Sequence, residues 1–189
     1  MRRSHLLVLV VTAFAVGCSD TPKTTPATTQ PTRPSVDEQR RMEPCHPGCF
    51  PSGTLVVTPT GLREIQTVGK GDTVTLIGAD GKPTSGAVET VFETCNKLIE
   101  VRTDAGTLTT TETQPLCLAA GGFREAGKLT AGEKIWRWDN GERKSVTVKE
   151  VSAPVREAAV FNLVVGDGKV FVANGFLARG KPPVTGHPQ

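Results

Sequence analysis

Histidine is almost missing from this 189-residue chain, whose three copies are His5, His46 and His187. No histidine lies between residues 47 and 186. That absence excludes a histidine acid or base, and a histidine-ligated metal, from the middle of the chain. It also excludes a serine–histidine–aspartate triad there, so we do not expect a hydrolase that acts on other molecules.

Tyrosine, long helical patterns and basic clusters are also missing. Aromatic residues make up 5% of the chain, and no stretch has the apolar spacing of a substantial helix. The net charge is +3, but the positive residues are scattered and are not interleaved with aromatics. This distribution argues against a nucleic-acid-binding surface, so we expect no nucleic-acid partner.

The N-terminal residues have the pattern of a secretion signal. Arg2 and Arg3 precede the apolar run Leu6–Ala15, which is shorter than the roughly 20 residues of a membrane-spanning helix. The run ends in small residues before Cys18, which resembles a bacterial lipobox and implies cleavage before Cys18 and a lipid on its sulfur. The alternatives are an ordinary signal peptide with an incidental cysteine and an uncleaved anchor.

The predicted organisation is a membrane-anchored lipoprotein of the cell envelope, outside the cytoplasm. Residues 1–17 form the signal peptide, and residues 18–44 form a disordered tether rich in proline and threonine. Residues 45–179 form one globular domain, and residues 180–189 form a disordered tail. We expect a monomer without a cofactor, and the sequence names no protein partner.

Short strands separated by turns fill the globular part. Twenty glycines accompany many valines and threonines. The strand-like runs are Thr73–Ile77, Val88–Phe92, Leu98–Val101, Ser145–Val151 and Val160–Val165. Turn signals include Asp80-Gly81, Asp104-Ala105-Gly106, Asp139-Asn140-Gly141 and Gly166-Asp167-Gly168. The pattern predicts an all-β fold built from hairpins.

Two segments of this domain match each other without a gap. They are residues 61–74 and 122–135. Both begin with glycine, an apolar residue, arginine and glutamate. Both continue with an apolar residue at the eighth position and end in glycine, an acidic residue, any residue and an apolar residue. Two copies are too few for a solenoid. They indicate a duplicated β subdomain with pseudo-two-fold symmetry.

Three blocks follow one another between residue 49 and about residue 178. The first begins Cys49-Phe50-x-x-Gly53-Thr54 and continues to Val74. The second runs from Leu108 through Thr111-Glu112-Thr113-Gln114 to Glu133, and the third from Val160 to Leu177. Together they resemble the Hint family, the hedgehog and intein autoprocessing domains. The resemblance implies an all-β, horseshoe-like fold with a pseudo-two-fold internal repeat.

The resemblance also implies a chemistry at the Gly48–Cys49 peptide. The Cys49 thiol attacks the Gly48 carbonyl in an N-to-S acyl shift, donors hold the oxyanion, and an acid protonates the departing nitrogen. Family members place a histidine acid in a Thr-x-x-His motif. Splicing members also end in His-Asn, where the asparagine cyclises.

This chain keeps only part of that set. Thr111 matches the threonine of the motif, but Gln114 stands at the histidine, and Arg179-Gly180 stands where His-Asn is expected. An amide cannot deliver a proton near neutral pH, and losing a general acid costs about 10²–10⁴-fold in rate. We therefore expect at most slow, single-turnover cleavage at Gly48–Cys49, without splicing. The alternative is a catalytically degenerate domain serving as a membrane-tethered binding or structural module.

The state of the cysteines is left open by the sequence. Apart from Cys18, the chain contains Cys45, Cys49, Cys95 and Cys117, which allow three pairings. A Cys45–Cys49 bridge would block the nucleophile, and Cys95–Cys117 would be the second bridge. Cys45-His46-x-x-Cys49 offers only three metal ligands, so we expect no metal site. An alternative interpretation is that Thr111 and Gln114 are ordinary strand residues without a catalytic role.

Overall fold

The computed structural model describes residues 48–183, all of which lie in one compact unit. Several predictions fall outside these residues: the signal peptide over 1–17, the lipid on Cys18, the tether over 18–44, any bridge to Cys45, and the end of the tail from residue 184. Within residues 48–183, no helix is long and apolar enough to cross a membrane.

Fourteen strands and two short 3-10 helices make up the described residues. The strands are β1 (Phe50–Pro51), β2 (Leu55–Thr58), β3 (Gly61–Glu64), β4 (Thr73–Ile77), β5 (Pro83–Ala87), β6 (Thr90–Thr103), β7 (Gly106–Thr111), β8 (Pro115–Cys117), β9 (Phe123–Glu125), β10 (Lys134–Asp139), β11 (Glu142–Val151), β12 (Arg156–Val164), β13 (Val170–Ala173) and β14 (Phe176–Arg179). The 3-10 helices are Ile65–Thr67 and Ala126–Lys128. The prediction of an all-β fold is confirmed.

The strands form one continuous antiparallel network. Its main path runs β1-β12-β6-β11-β10-β14-β13-β2-β3. The remaining strands attach at its sides: β4 pairs with β13 and β5, β7 pairs with β6, and β8 pairs with β14 and β9. Strand β12 therefore lies between β1, which follows Cys49, and the long strand β6.

Strand β6 differs from the sequence prediction. The runs Val88–Phe92 and Leu98–Val101 were expected to be separate strands, but Thr90–Thr103 is one strand. The polar residues between the two runs do not form a turn, because β12 pairs with them in register and satisfies their backbone, with Cys95 opposite Ala159. The second half of β6 then pairs with β7 and β11.

The predicted internal repeat is present in three dimensions. In each copy a short strand, β3 or β9, leads directly into one turn of 3-10 helix. Ile65 and Ala126 begin these turns and are fully buried, and Val68 and Leu129 follow at equivalent buried positions. The matched apolar residues therefore serve the same core positions in both halves, as the duplication requires.

The matched charged residues also have the same role in both copies. Arg63 pairs with Asp72 at 2.9 Å, and Arg124 pairs with Glu133. Each carboxylate also accepts a backbone N–H from the loop before it, at Gly69 or Thr130. These hydrogen bonds from the backbone, together with the nearby arginine, lower the pKa of Asp72 and of Glu133. An arginine–acid pair thus closes the equivalent loop in each copy of the repeat.

The main core contains buried side chains from most of the strands. Phe50 and Phe171 are fully buried and meet edge to face, with ring centroids 5.9 Å apart. Ile65, Leu116 and Leu163 pack into the same cluster. Because Phe50 directly follows Cys49, its burial fixes the start of the domain against β12.

Replacing Ile65 with alanine should test the repeat-built core. The side chain is fully buried, so we expect a loss of about 2–5 kcal/mol in the free energy of unfolding, from lost transfer energy and a cavity. Leu62→Ala is the control, since Leu62 is 62% exposed and should change stability by no more than about 0.5 kcal/mol. Urea unfolding measures both. Equal shifts for the two variants would contradict this account of the core.

Candidate functional site

The Gly48–Cys49 peptide is buried between strands β12 and β7. The register that pairs Phe50 with Phe161 brings the preceding residues alongside Asn162. On the other side, the Cys49 carbonyl accepts the Thr111 N–H at 3.1 Å and the Thr110 hydroxyl at 2.7 Å. The junction is therefore held as an extra stretch of strand, and Cys49 is only 1% exposed.

The carbonyl oxygen of Gly48 accepts a hydrogen bond from the Asn162 side chain. Asn162 Nδ2 donates to this oxygen and also lies 3.3 Å from Gln114 Oε1. Its Oδ1 accepts the Leu163 N–H at 2.7 Å, so the amide's orientation is fixed. Asn162 is fully buried in the apolar second half of β12. The donor is thus aimed at the oxygen that would carry charge after attack on Gly48.

The nitrogen of the same peptide faces Thr111. The Cys49 N–H donates to Thr111 Oγ1 at 2.8 Å. Thr111 is the last residue of β7 and is 1% exposed. Its hydroxyl lies at the atom that must gain a proton if the peptide bond breaks. A hydroxyl does not supply that proton as an acid would, but it is placed to relay one.

Gln114 lies beside the junction and positions Asn162. Its Nε2 donates to the carbonyls of Arg179 at 3.0 Å and of Pro115 at 3.1 Å, which leaves Oε1 facing Asn162. Its backbone is also held, because Ala126 N–H donates to the Gln114 carbonyl at 2.8 Å. Gln114 is therefore connected to the Gly48 carbonyl through Asn162, for which it is an acceptor.

Glycine is required at position 48 by the backbone of Gln114. A Cβ on Gly48 would lie 1.7 Å from the Gln114 Cα and 2.0 Å from its nitrogen. These separations are far inside van der Waals contact, and backbone atoms cannot swing away as a flexible side chain can. The residue before Cys49 is thus selected by the site itself.

The residues at the expected His-Asn position take no chemical part at the junction. Arg179 reaches Gln114 through its main-chain carbonyl, while its side chain turns away to donate to the Gly168 carbonyl at 3.1 Å and to cover the Phe123 ring. Beyond it, the Lys181 N–H donates to the Leu163 carbonyl at 2.9 Å, so the chain stays attached to β12.

The structure brings Cys49, Thr111 and Gln114 together around Gly48, and their catalytic roles stay a prediction. The residue that reasoning from sequence missed is Asn162. A signal was present, because Asn162 is the polar residue within the apolar run Val160–Val165. A buried side-chain amide in such a strand needs partners, and here one partner is the Gly48 carbonyl.

The second predicted disulfide, Cys95–Cys117, is not formed. Cys95 is an exposed thiol on β6 where that strand pairs with β12, whereas Cys117 is a buried thiol on β8. The two cysteines flank the β6–β7 hairpin in sequence, but their strands belong to different parts of the network. Burial raises the pKa of Cys117 to about 12, so this sulfur stays protonated and unreactive at neutral pH.

Alkylation should separate these two thiols. At pH 8 in the native state, iodoacetamide should modify Cys95 and leave Cys117 intact, because a pKa near 12 leaves roughly one Cys117 in ten thousand as thiolate. Both should react once the chain is unfolded. Peptide mapping by mass spectrometry measures each site. Native labelling of Cys117 as fast as Cys95 would refute its predicted burial.

Chemically, the site polarises one peptide bond through neutral polar groups. The Asn162 amide and the Thr111 hydroxyl contact the Gly48–Cys49 peptide, and the Thr110 hydroxyl donates to the next carbonyl along the chain, that of Cys49. Such groups stabilise an oxyanion and relay protons, but they do not titrate near neutral pH. Within the same residues, no cluster of three histidine, cysteine or acidic side chains is arranged to hold a metal ion.

Solved structures with this fold are inteins and intein-like domains. A DnaB intein from Synechocystis sp. PCC 6803 is 19% identical with a TM-score of 0.65, covering 71% of this chain and 99% of the intein. A bacterial intein-like domain from Clostridium thermocellum is 23% identical with a TM-score of 0.60, covering 70% of this chain and 98% of that domain. The gp41-1 intein is 21% identical with a TM-score of 0.56, covering 69% and 97%.

The described chain therefore has the Hint fold, in agreement with the resemblance seen in its sequence. At these identities the likeness establishes the fold and leaves the activity to be argued from the site. No protein-family model matches the sequence, and no curated protein matches it.

Proposed function

We propose that the Hint fold of this chain slowly cleaves its own backbone at Gly48–Cys49. The observation that supports this function best is the Asn162 amide, which donates to the oxygen of the peptide bond that precedes Cys49. A buried amide aimed at that carbonyl serves no strand pairing, but it would stabilise the oxyanion formed when sulfur attacks.

In the first step Cys49 Sγ bonds to the carbonyl carbon of Gly48, and the carbonyl electrons move onto its oxygen. The C–N bond then breaks, and the thiol proton ends on the Cys49 nitrogen by way of Thr111 or water. Water next attacks the thioester, which releases Gly48 as a carboxylate and restores the Cys49 thiol. Each molecule reacts once.

Two features make the reaction slow. Gln114 occupies the position of the family's histidine, and its donating nitrogen is engaged by the Arg179 and Pro115 carbonyls. Cys49 is also almost fully buried, so water reaches a thioester there only when the junction opens. If residues 18–44 tether the chain through Cys18, cleavage releases residues 49–189 from the membrane.

The test compares the full chain with Cys49→Ala. Under reducing conditions, mass spectrometry over days should show a fragment beginning at Cys49, formed faster with hydroxylamine or excess dithiothreitol, both of which attack thioesters. The alanine variant should stay intact because it lacks the nucleophile. Asn162→Ala should slow cleavage by about 10²–10³-fold, the usual cost of one oxyanion donor. Persistence of the intact mass in all samples, or cleavage of Cys49→Ala, would overturn the proposal.

Restoring histidine at position 114 should accelerate cleavage. Gln114→His places a titratable group beside the junction, and a positioned general acid contributes about 10²–10⁴-fold. The gain should follow the protonated imidazole and fade as the pH rises above about 7, in line with an ordinary histidine pKa. Gln114→Asn is the matched control, since it changes the side chain without adding an acid. An equal rate for both variants would show that proton delivery does not limit the reaction.

A second function is supported by a different observation, an apolar groove with a cationic rim on the outer face of the sheet. It favours the alternative in which the domain binds a partner. The groove floor and the Gly48–Cys49 junction are built from different residues, so binding does not exclude slow cleavage.

A further inference from the structure

The groove lies on the face of the sheet that points away from the main core. Side chains alternate along each strand, so one face of β4, β8, β10, β13 and β14 packs inward while the other remains outside. The outward set forms a second apolar cluster, and the groove above it has a volume of about 830 Å³. Its floor consists of Ile77, Cys117, Trp136, Val170 and Leu177.

Positive charge surrounds this floor. Arg143, Lys169 and Arg179 line the groove, and none of them is in an ion pair with a described residue, whereas Asp167 is the one carboxylate among the described lining residues. Arg143 lies over Trp136 at 4.8 Å from the ring centroid, and Arg179 over Phe123 at 5.3 Å. Stacking holds both guanidinium groups at the rim, where their remaining N–H donors suit carboxylates.

Two edge strands flank the groove. Within residues 48–183, β5 pairs with β4 alone and β9 with β8 alone, so the outer edge of each has backbone donors and acceptors that no strand covers. Thr84 of β5 and Phe123 of β9 both line the groove. An uncovered strand edge beside an apolar floor is the arrangement in which an extended peptide adds to a sheet.

We propose that this groove binds an extended segment of a partner protein that carries apolar and acidic side chains on the same face. Because every second side chain of a strand shares a face, such a segment places its apolar side chains on the Trp136 and Leu177 floor and its carboxylates toward Arg143 and Arg179. The net positive rim selects the sign of the partner's charge, and the apolar floor supplies the buried area.

Arg179 connects the groove to the junction. Its guanidinium stands at the groove, while its main-chain carbonyl accepts from Gln114 Nε2 at 3.0 Å. Gln114 in turn contacts Asn162, the donor to Gly48. A partner that binds the Arg179 side chain can therefore shift Gln114, which positions the oxyanion donor Asn162. This link to cleavage rests on the proposed function, whereas binding itself does not.

Binding can be measured on a full chain that cannot cleave. Cys49→Ala with Trp138→Phe leaves Trp136 as the single tryptophan, because the chain has two. The probe is the capped octapeptide Val-Ser-Glu-Ser-Val-Ser-Glu-Ser, whose valines and glutamates share one face of a strand, and its control replaces each glutamate with lysine. The glutamate peptide should change Trp136 fluorescence saturably and bind at least about tenfold more tightly than the lysine peptide, with affinity falling as salt rises.

Charge variants locate the site. Arg143→Gln should weaken the glutamate peptide about tenfold, as expected for one charge-assisted contact. Arg102→Gln is the matched control, since it removes the same charge from an arginine outside the groove that already pairs with Glu100 and Glu150. The proposal is overturned if no saturable change occurs, if both peptides bind equally, or if both variants weaken binding alike. Because the background lacks Cys49, a failure of cleavage does not affect this result.

Discussion

The hydrogen bond between Asn162 and the Gly48 carbonyl is the interaction on which the site depends. A side-chain amide buried in an apolar strand must find partners for its donors and its acceptor, since leaving one unmatched costs about 1–3 kcal/mol. Here the partners are the Gly48 carbonyl, Gln114 and the Leu163 N–H. The junction is thus part of what allows Asn162 to be buried, and the same burial makes the amide a preorganised donor.

Steric constraint reinforces this arrangement. The Gln114 backbone leaves no room for a side chain at position 48, and Phe50 is locked into the core two residues later. Between these fixed points the Gly48–Cys49 peptide has little freedom to move away from Thr111. The duplicated half-domains provide the rigidity, because each copy closes its loop with the same arginine–acid pair and buries the same apolar positions.

Much of this could be predicted from the sequence, and the rest failed for physical reasons. The repeat and the all-β class followed from local patterns, whereas the resemblance to the Hint family pointed to the residues around Gly48. The continuous strand β6 did not, because its polar middle is satisfied by pairing with β12, a long-range contact that local sequence does not encode. The role of Gln114 was also hidden, since its direction is set by the Arg179 carbonyl, which is distant in sequence. The sequence shows that no histidine lies between residues 47 and 186, but not which group stands in the oxyanion position.

The missing acid changes what controls the site. Where a histidine titrates at the junction, pH and proton transfer govern the reaction. Here Asn162 and Thr111, which contact the peptide, do not titrate near neutral pH, so the proposed reaction would depend on how well Asn162 is aligned. That alignment passes through Gln114 to the main chain of Arg179, whose side chain stands in a cationic groove. Alignment of this kind is a geometric property, which a bound partner can alter. The proposed binding and the proposed self-cleavage are therefore connected through one residue, Arg179.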